Sequence, residues 1–224
     1  MKWKRLFFVL LLAPNLIYSS FDDRDCSKVM DKFTAEWNRH NELVQQFTKL
    51  GPGEREQGVA LLQESIACCV RAMGYCSKIL TKIAEKSKKE RYLLPWPQIK
   101  EQQQQHKSKL SAEISELQNV LNALLSGIAA EKAQAFYLES EKKVALANAK
   151  YKEYQALSSS DTDGAIASLN KAALFYEEAA MHAQQALCTL QAAPASQEAD
   201  RAMLSQNIET YQDASRLCRQ EAKG

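Results

Sequence analysis

Sulfur carries the most distinctive chemistry in this chain, which holds six cysteines and five methionines. Cys69, Met73 and Cys76 recur at steps of four and three, the spacing of one helix face, and an antiparallel partner helix would set Met30 and Cys26 opposite them. Thiolates and thioethers are soft donors, so such a set would suit copper(I). The plainer use of the same residues is packing, since methionine fills irregular gaps and buried cysteine behaves as a small hydrophobe. In an oxidising compartment thiols pair instead, and the expected bridge joins Cys26 to Cys76, which stand about one helical turn out of level. Cys68 and Cys69 are neighbours on a helix and do not suit a bridge to each other. In an extended register Cys188 and Cys218 fall roughly 22 Å apart, which is beyond disulfide reach.

The histidines offer less. His40 falls on an apolar stripe and reads as a hydrogen-bonded core residue. His106 lies in a glutamine-rich stretch and reads as solvated, while Glu178 stands four residues before His182, an ordinary spacing on a helix surface. There is no glycine-rich phosphate loop, no Gly-x-Ser-x-Gly, no His-Glu-x-x-His and no paired Glu-x-x-His. No catalytic residue, cofactor or enzymatic activity is therefore expected.

The elements that must position these residues are read from apolar periodicity. Met30, Phe33, Trp37, His40, Val44 and Phe47 alternate at three and four, and after Gly51-Pro52-Gly53 the pattern resumes with Val59, Leu62, Ile66, Cys69, Met73, Cys76, Leu80 and Ile83. This spacing predicts helices over 22–50 and 54–90, folded back on each other about the glycine-proline turn. The segment from Tyr92 to Pro97 interrupts the helix, because Pro95 and Pro97 push the residues before them out of the α region. A third helix follows, with Leu110, Ile114, Leu117, Leu121, Leu124 and Ile128 on one stripe and a shifted phase past Gly127. If unbroken it covers roughly 60 residues and about 90 Å. The serine-rich linker 158–164 and Pro194 frame two more helices, whose alanine-rich seam pairs Leu187 with Leu204, Ala183 with Ile208 and Ala180 with Tyr211.

The resulting fold class is all-α: antiparallel hairpins forming two three-helix bundles on a long shared helix. The units expected are 21–127 and 128–224. In topology alone this plan resembles a pair of spectrin-type repeats, although no sequence motif of that family accompanies it. The alternative is one compact, folded-back bundle of five or six helices with a break at Gly127, a residue that costs about 1 kcal/mol relative to alanine inside a helix. Folding back would bring Cys68 and Cys69 level with Cys188.

Residues 1–20 stand apart. Lys2, Lys4 and Arg5 precede the apolar run Leu6 to Ala13, then Pro14, Asn15, Ser19 and Ser20 follow, the pattern of a cleavable secretory signal peptide. No later segment is apolar enough to span a membrane. Beyond that stretch 26 lysines and arginines face 27 acidic residues, a near-neutral balance that gives no reason to expect nucleic acid as partner. Lysines nonetheless collect near the second corner, where Lys86, Lys88, Lys89 and Arg91 surround Trp96, a basic rim that could touch an anionic envelope surface.

The function expected is an exported, non-enzymatic helical scaffold or protein-binding module, secreted, periplasmic or otherwise in the cell envelope. It would act through helical surfaces, on a protein partner or on a second copy of itself. The alternatives are a copper-handling bundle using Cys26, Met30, Cys69, Met73 and Cys76, and a secreted effector that binds host or competitor proteins.

Overall fold

The computed structural model of this chain describes residues 24–51, 53–89, 96–157, 161–194 and 198–223, with side chains except at 24–26, 86–89 and 96. The segment read as a signal peptide, 1–20, lies outside them. The fold is all-α: α1 (Arg24–Lys49), α2 (Arg55–Lys89), α3 (Trp96–Leu157), α4 (Thr162–Gln191) and α5 (Glu198–Glu221), with no strand among the described residues. None of the described helices is long and apolar enough to cross a membrane.

Local chemistry explains where these helices begin and end. Between α1 and α2 the Glu54 carboxylate accepts from the Gly51 amide at 2.6 Å, and the Glu54 amide donates to the Gly51 carbonyl at 3.1 Å. This reciprocal pair satisfies backbone groups that a helix start leaves orphaned. At the start of α4, Asp161 is extended (φ −145°, ψ 94°) and its side chain accepts from the Gly164 amide at 3.0 Å. A Cβ at Gly164 would stand 2.3 Å from Asp161 Oδ2, so a larger residue there would make the capping carboxylate shift. The far end of α4 is closed from α5, where Arg201 Nη2 donates to the Leu190 carbonyl.

The chain divides into two compact units, the first ending at Leu121 and the second starting at Asn122. Helix α3 supplies its first part to one and its second part to the other, and it is helical through Gly127.

In the N-terminal unit α1 and α2 pack as an antiparallel hairpin, with Glu36 meeting Arg71 and Arg39 meeting Glu64 along the rim. Helix α3 runs parallel to α1 at a constant offset of 73 residues, which sets Met30 by Gln103, Phe33 by His106 and His40 by Glu113. The buried stripe of α2 is Gly58, Leu62, Ser65, Cys69, Ala72, Cys76, Ile79 and Ile83. This corrects the sequence reading at alternate positions: Val59, Ile66, Met73 and Leu80 are only half-buried. Because α2 is packed from more than one side, its inward face is broader than a two-helix seam, and the larger residues flank a centre of smaller ones.

In the C-terminal unit the core is mainly alanine. Ala133, Ala179, Ala180, Ala183 and Ala186 pack with Leu187, Leu190, Leu204, Ile208 and Tyr211. A second cluster joins Leu169, Ala172, Ala173 and Cys218 to half-buried Tyr151, Tyr154 and Tyr176. Short side chains let helices approach closely, and Ser140 Oγ reaches the Ala179 backbone carbonyl at 2.9 Å.

Candidate functional site

Among the described residues of the N-terminal core, a group of buried polar side chains is built from all three helices. From α1 comes His40, 3% exposed; from α2, Ser65 and Cys69; from α3, Glu113, 5% exposed. His40 is inward because it continues the three-four stripe of α1, and the parallel register of α3 brings Glu113 to its level. The imidazole faces these partners with both nitrogens. Nδ1 lies 2.8 Å from Ser65 Oγ and 3.3 Å from Cys69 Sγ, and Nε2 lies 3.7 Å from Glu113 Oε1. The Trp37 ring covers one side of His40 at 5.2 Å between centroids. Glu113 Oε2 is buried with no hydrogen-bond partner.

Burial sets the protonation of this layer. Desolvation lowers the His40 pKa to about 4, so the ring is neutral near pH 7. Desolvation pushes the Cys69 thiol up to about 12, with the charges of Glu113 and Cys68 adding to it. Glu113 is raised as well, by desolvation first and then by the charge of Glu116. Each group is thus held toward its neutral form. Nδ1 and Ser65 Oγ share a hydrogen bond whose direction follows the tautomer of the ring.

Cysteine, histidine and a carboxyl group in contact are the ingredients of nucleophilic catalysis, in which the base lowers the barrier to forming a thiolate. The geometry here works against it. A reactive thiol needs a depressed pKa and access, whereas Cys69 is fully buried with its pKa raised. The arrangement is a buried polar layer in which hydrogen bonds join α1 to α2 and Glu113 of α3 approaches His40 at 3.7 Å.

The sulfur residues named from sequence are not gathered to one point. Cys69 faces His40, while Cys76 lies seven residues along the same helix, about 10 Å in rise. Met30 packs with Ile79, Ile83 and Ile99, its sulfur 4.0 Å from Gln103 Nε2, and Met73 is half-buried. Among the described residues no group of three or more histidine, cysteine or acidic side chains converges as a metal site. Cys76 is a free thiol with a pKa raised to about 11 by burial, so the expected bridge to Cys26 is not formed here; the Cys26 side chain lies outside the described ones. Cys68, Cys69, Cys188 and Cys218 are free too, and of these Cys188 alone is exposed.

The basic corner falls largely outside the described residues. Lys86, Lys88 and Lys89 belong to α2 and Trp96 begins α3, without described side chains, and Arg91 lies outside the described residues. His106, read from sequence as solvated, is half-buried against the Phe33 ring at 5.9 Å, and its pKa is lowered by burial and then by Lys109. Ser65 and Glu113 were not expected in the core at all. A signal for them existed: the three-four alternation through Leu110 and Leu117 passes through Gln103, His106 and Glu113 once polar residues are admitted to the count. Compared with protein-family models, with curated proteins and with solved structures, this chain finds no match.

Proposed function

We propose that this protein is an exported, non-enzymatic helical scaffold of the cell envelope or extracellular space, and that its C-terminal unit is the protein-binding half. Export rests on the basic start and apolar run of residues 2–13. The binding role rests on one observation. Among the described residues the large exposed hydrophobics concentrate in the C-terminal unit: Leu138 and Leu146 on α3, Ile166, Leu174 and Met181 on α4, and Met203 and Leu217 on α5, against Val70 in the N-terminal unit.

Leu174 and Met181 are 50% and 60% exposed and stand seven residues apart on α4, which puts them on one face. Covering such a side chain contributes roughly 1.5–3 kcal/mol for each residue fully buried, so a few of them supply a useful share of a protein contact. Polar neighbours Asn170, Lys171 and Gln185 keep the surface soluble in the unbound state.

Photo-crosslinking in the producing cells tests this reading. A photoreactive residue at position 174 or 181 should yield an adduct of one discrete protein mass, and the same residue at exposed position 63 of the N-terminal unit should yield little. Equal labelling at the three positions would defeat the assignment of this face.

A further inference from the structure

We infer that His40 and Glu113 act as a proton latch: the N-terminal unit stays closed while the pair holds one proton between its two side chains, and opens when a second arrives. The geometry supplies the reason. His40 Nε2 and Glu113 Oε1 are 3.7 Å apart in the core, the remaining contacts of the ring are Ser65, Cys69 and Trp37, and the second oxygen of Glu113 has no partner. A neutral pair is tolerable there. One net charge has nothing to answer it.

Most charged groups around the layer are committed to other partners, and the acidic neighbour Glu116 is exposed to solvent. On α1, Glu36 is held by Arg71 and Arg39 by Glu64. On α2 the facing ionisable groups are Cys69 and, beside it, Cys68, both with raised pKa values. On α3 they are Glu113, Glu116, whose charge raises Glu113, and His106, one contact farther along against Phe33.

Proton counting gives the direction for each partner. With its folded pKa depressed to about 4 from 6.5, His40 contributes stability that is present above pH 6.5 and is lost as pH falls toward 4. With its folded pKa raised above 4.5, Glu113 contributes stability that is present in acid and is lost as pH rises through that folded value. The two dependences run in opposite directions, so each partly offsets the other. Removing either partner exposes the dependence of the other.

The test is a set of urea titrations on the full chain carrying 5-fluorotryptophan, reading the fluorine resonance of Trp37 at pH 7, 5.5 and 4. For Glu113→Gln the folding equilibrium constant should fall on the order of 100-fold between pH 7 and pH 4, clearly more than for the unmodified chain. His40→Gln should lose less than the unmodified chain over the same interval. Parallel profiles for all three proteins, or a flatter one for Glu113→Gln, would overturn the latch. Should a variant not fold, the nitrogen-15 shifts of His40 in the unmodified chain decide: neutral imidazole at pH 5.5 is expected, and imidazolium there would overturn it.

Discussion

The two units solve the same packing problem with different materials. In the N-terminal unit, bulky side chains such as Phe33, Leu43, Leu62, Ile79 and Leu117 enclose His40, Ser65, Cys69, Gln103 and Glu113. In the C-terminal unit, alanines form the seam, and Ser140 bonds the Ala179 carbonyl, Ser215 bonds Glu177 and Tyr211 bonds Glu141, while Arg201 Nε is buried without a hydrogen bond. Gln103 and Glu113 each keep one buried oxygen without a hydrogen bond. Such groups cost stability, whereas the paired contacts of His40 with Ser65 and Cys69 punish a slip of α1 along α2, which would leave them unpaired. The alanine seam sets its register by shape instead, since close-packed small residues leave no room for a larger one.

Substitutions can break or sharpen this contrast. The largest effect should come from Leu62→Ala, a fully buried leucine among bulky neighbours, which is expected to cost about 3 kcal/mol in urea unfolding of the N-terminal unit. Enlarging the alanine seam with Ala183→Leu should destabilise the C-terminal unit by about 2 kcal/mol through overpacking, whereas the same gain in volume would be absorbed in a loose core. Glu113→Leu should act in the opposite direction and stabilise the N-terminal unit by about 1 kcal/mol at pH 7, because it removes an unpaired buried oxygen. Ser140→Ala, which deletes a satisfied hydrogen bond, should cost about 1 kcal/mol in the C-terminal unit. Asp161→Ala should cost a similar amount, about 1 kcal/mol, through loss of the α4 cap.

Much of this architecture was legible in the sequence because it follows from periodicity and breakers. The expected spans 22–50 and 54–90 differ from α1 and α2 by one or two residues, and the Gly51 to Gly53 turn and the Pro97 start of α3 fall where glycine and proline put them. The core of α2 was harder. An apolar count favours Ile66 and Met73, but the centre of a face packed from two directions takes Ser65 and Ala72. The polar layer was half legible: His40 sits inside an apolar stripe and so stands out, while Glu113 and Gln103 look like any surface residues of a charged helix until α3 is set in register with α1. Free thiols were partly legible: register put Cys188 and Cys218 out of reach and neighbour geometry set Cys68 and Cys69 against a mutual bridge, but Cys76 was expected to be paired and is free. Cysteine spacing along a helix says which residues share a face, and not whether a second sulfur stands within reach.

The central claim is that the N-terminal unit is built around a buried neutral pair and the C-terminal unit is not, so the two must answer differently to acid. Hydrogen exchange of the full chain, resolved by peptide and corrected for the intrinsic pH dependence of exchange, measures this directly at pH 7 and below pH 4. The account predicts that α1 and α2 lose protection in acid while α4 and α5 keep theirs. Uniform loss along the chain, or earlier loss in α4 and α5, would contradict it.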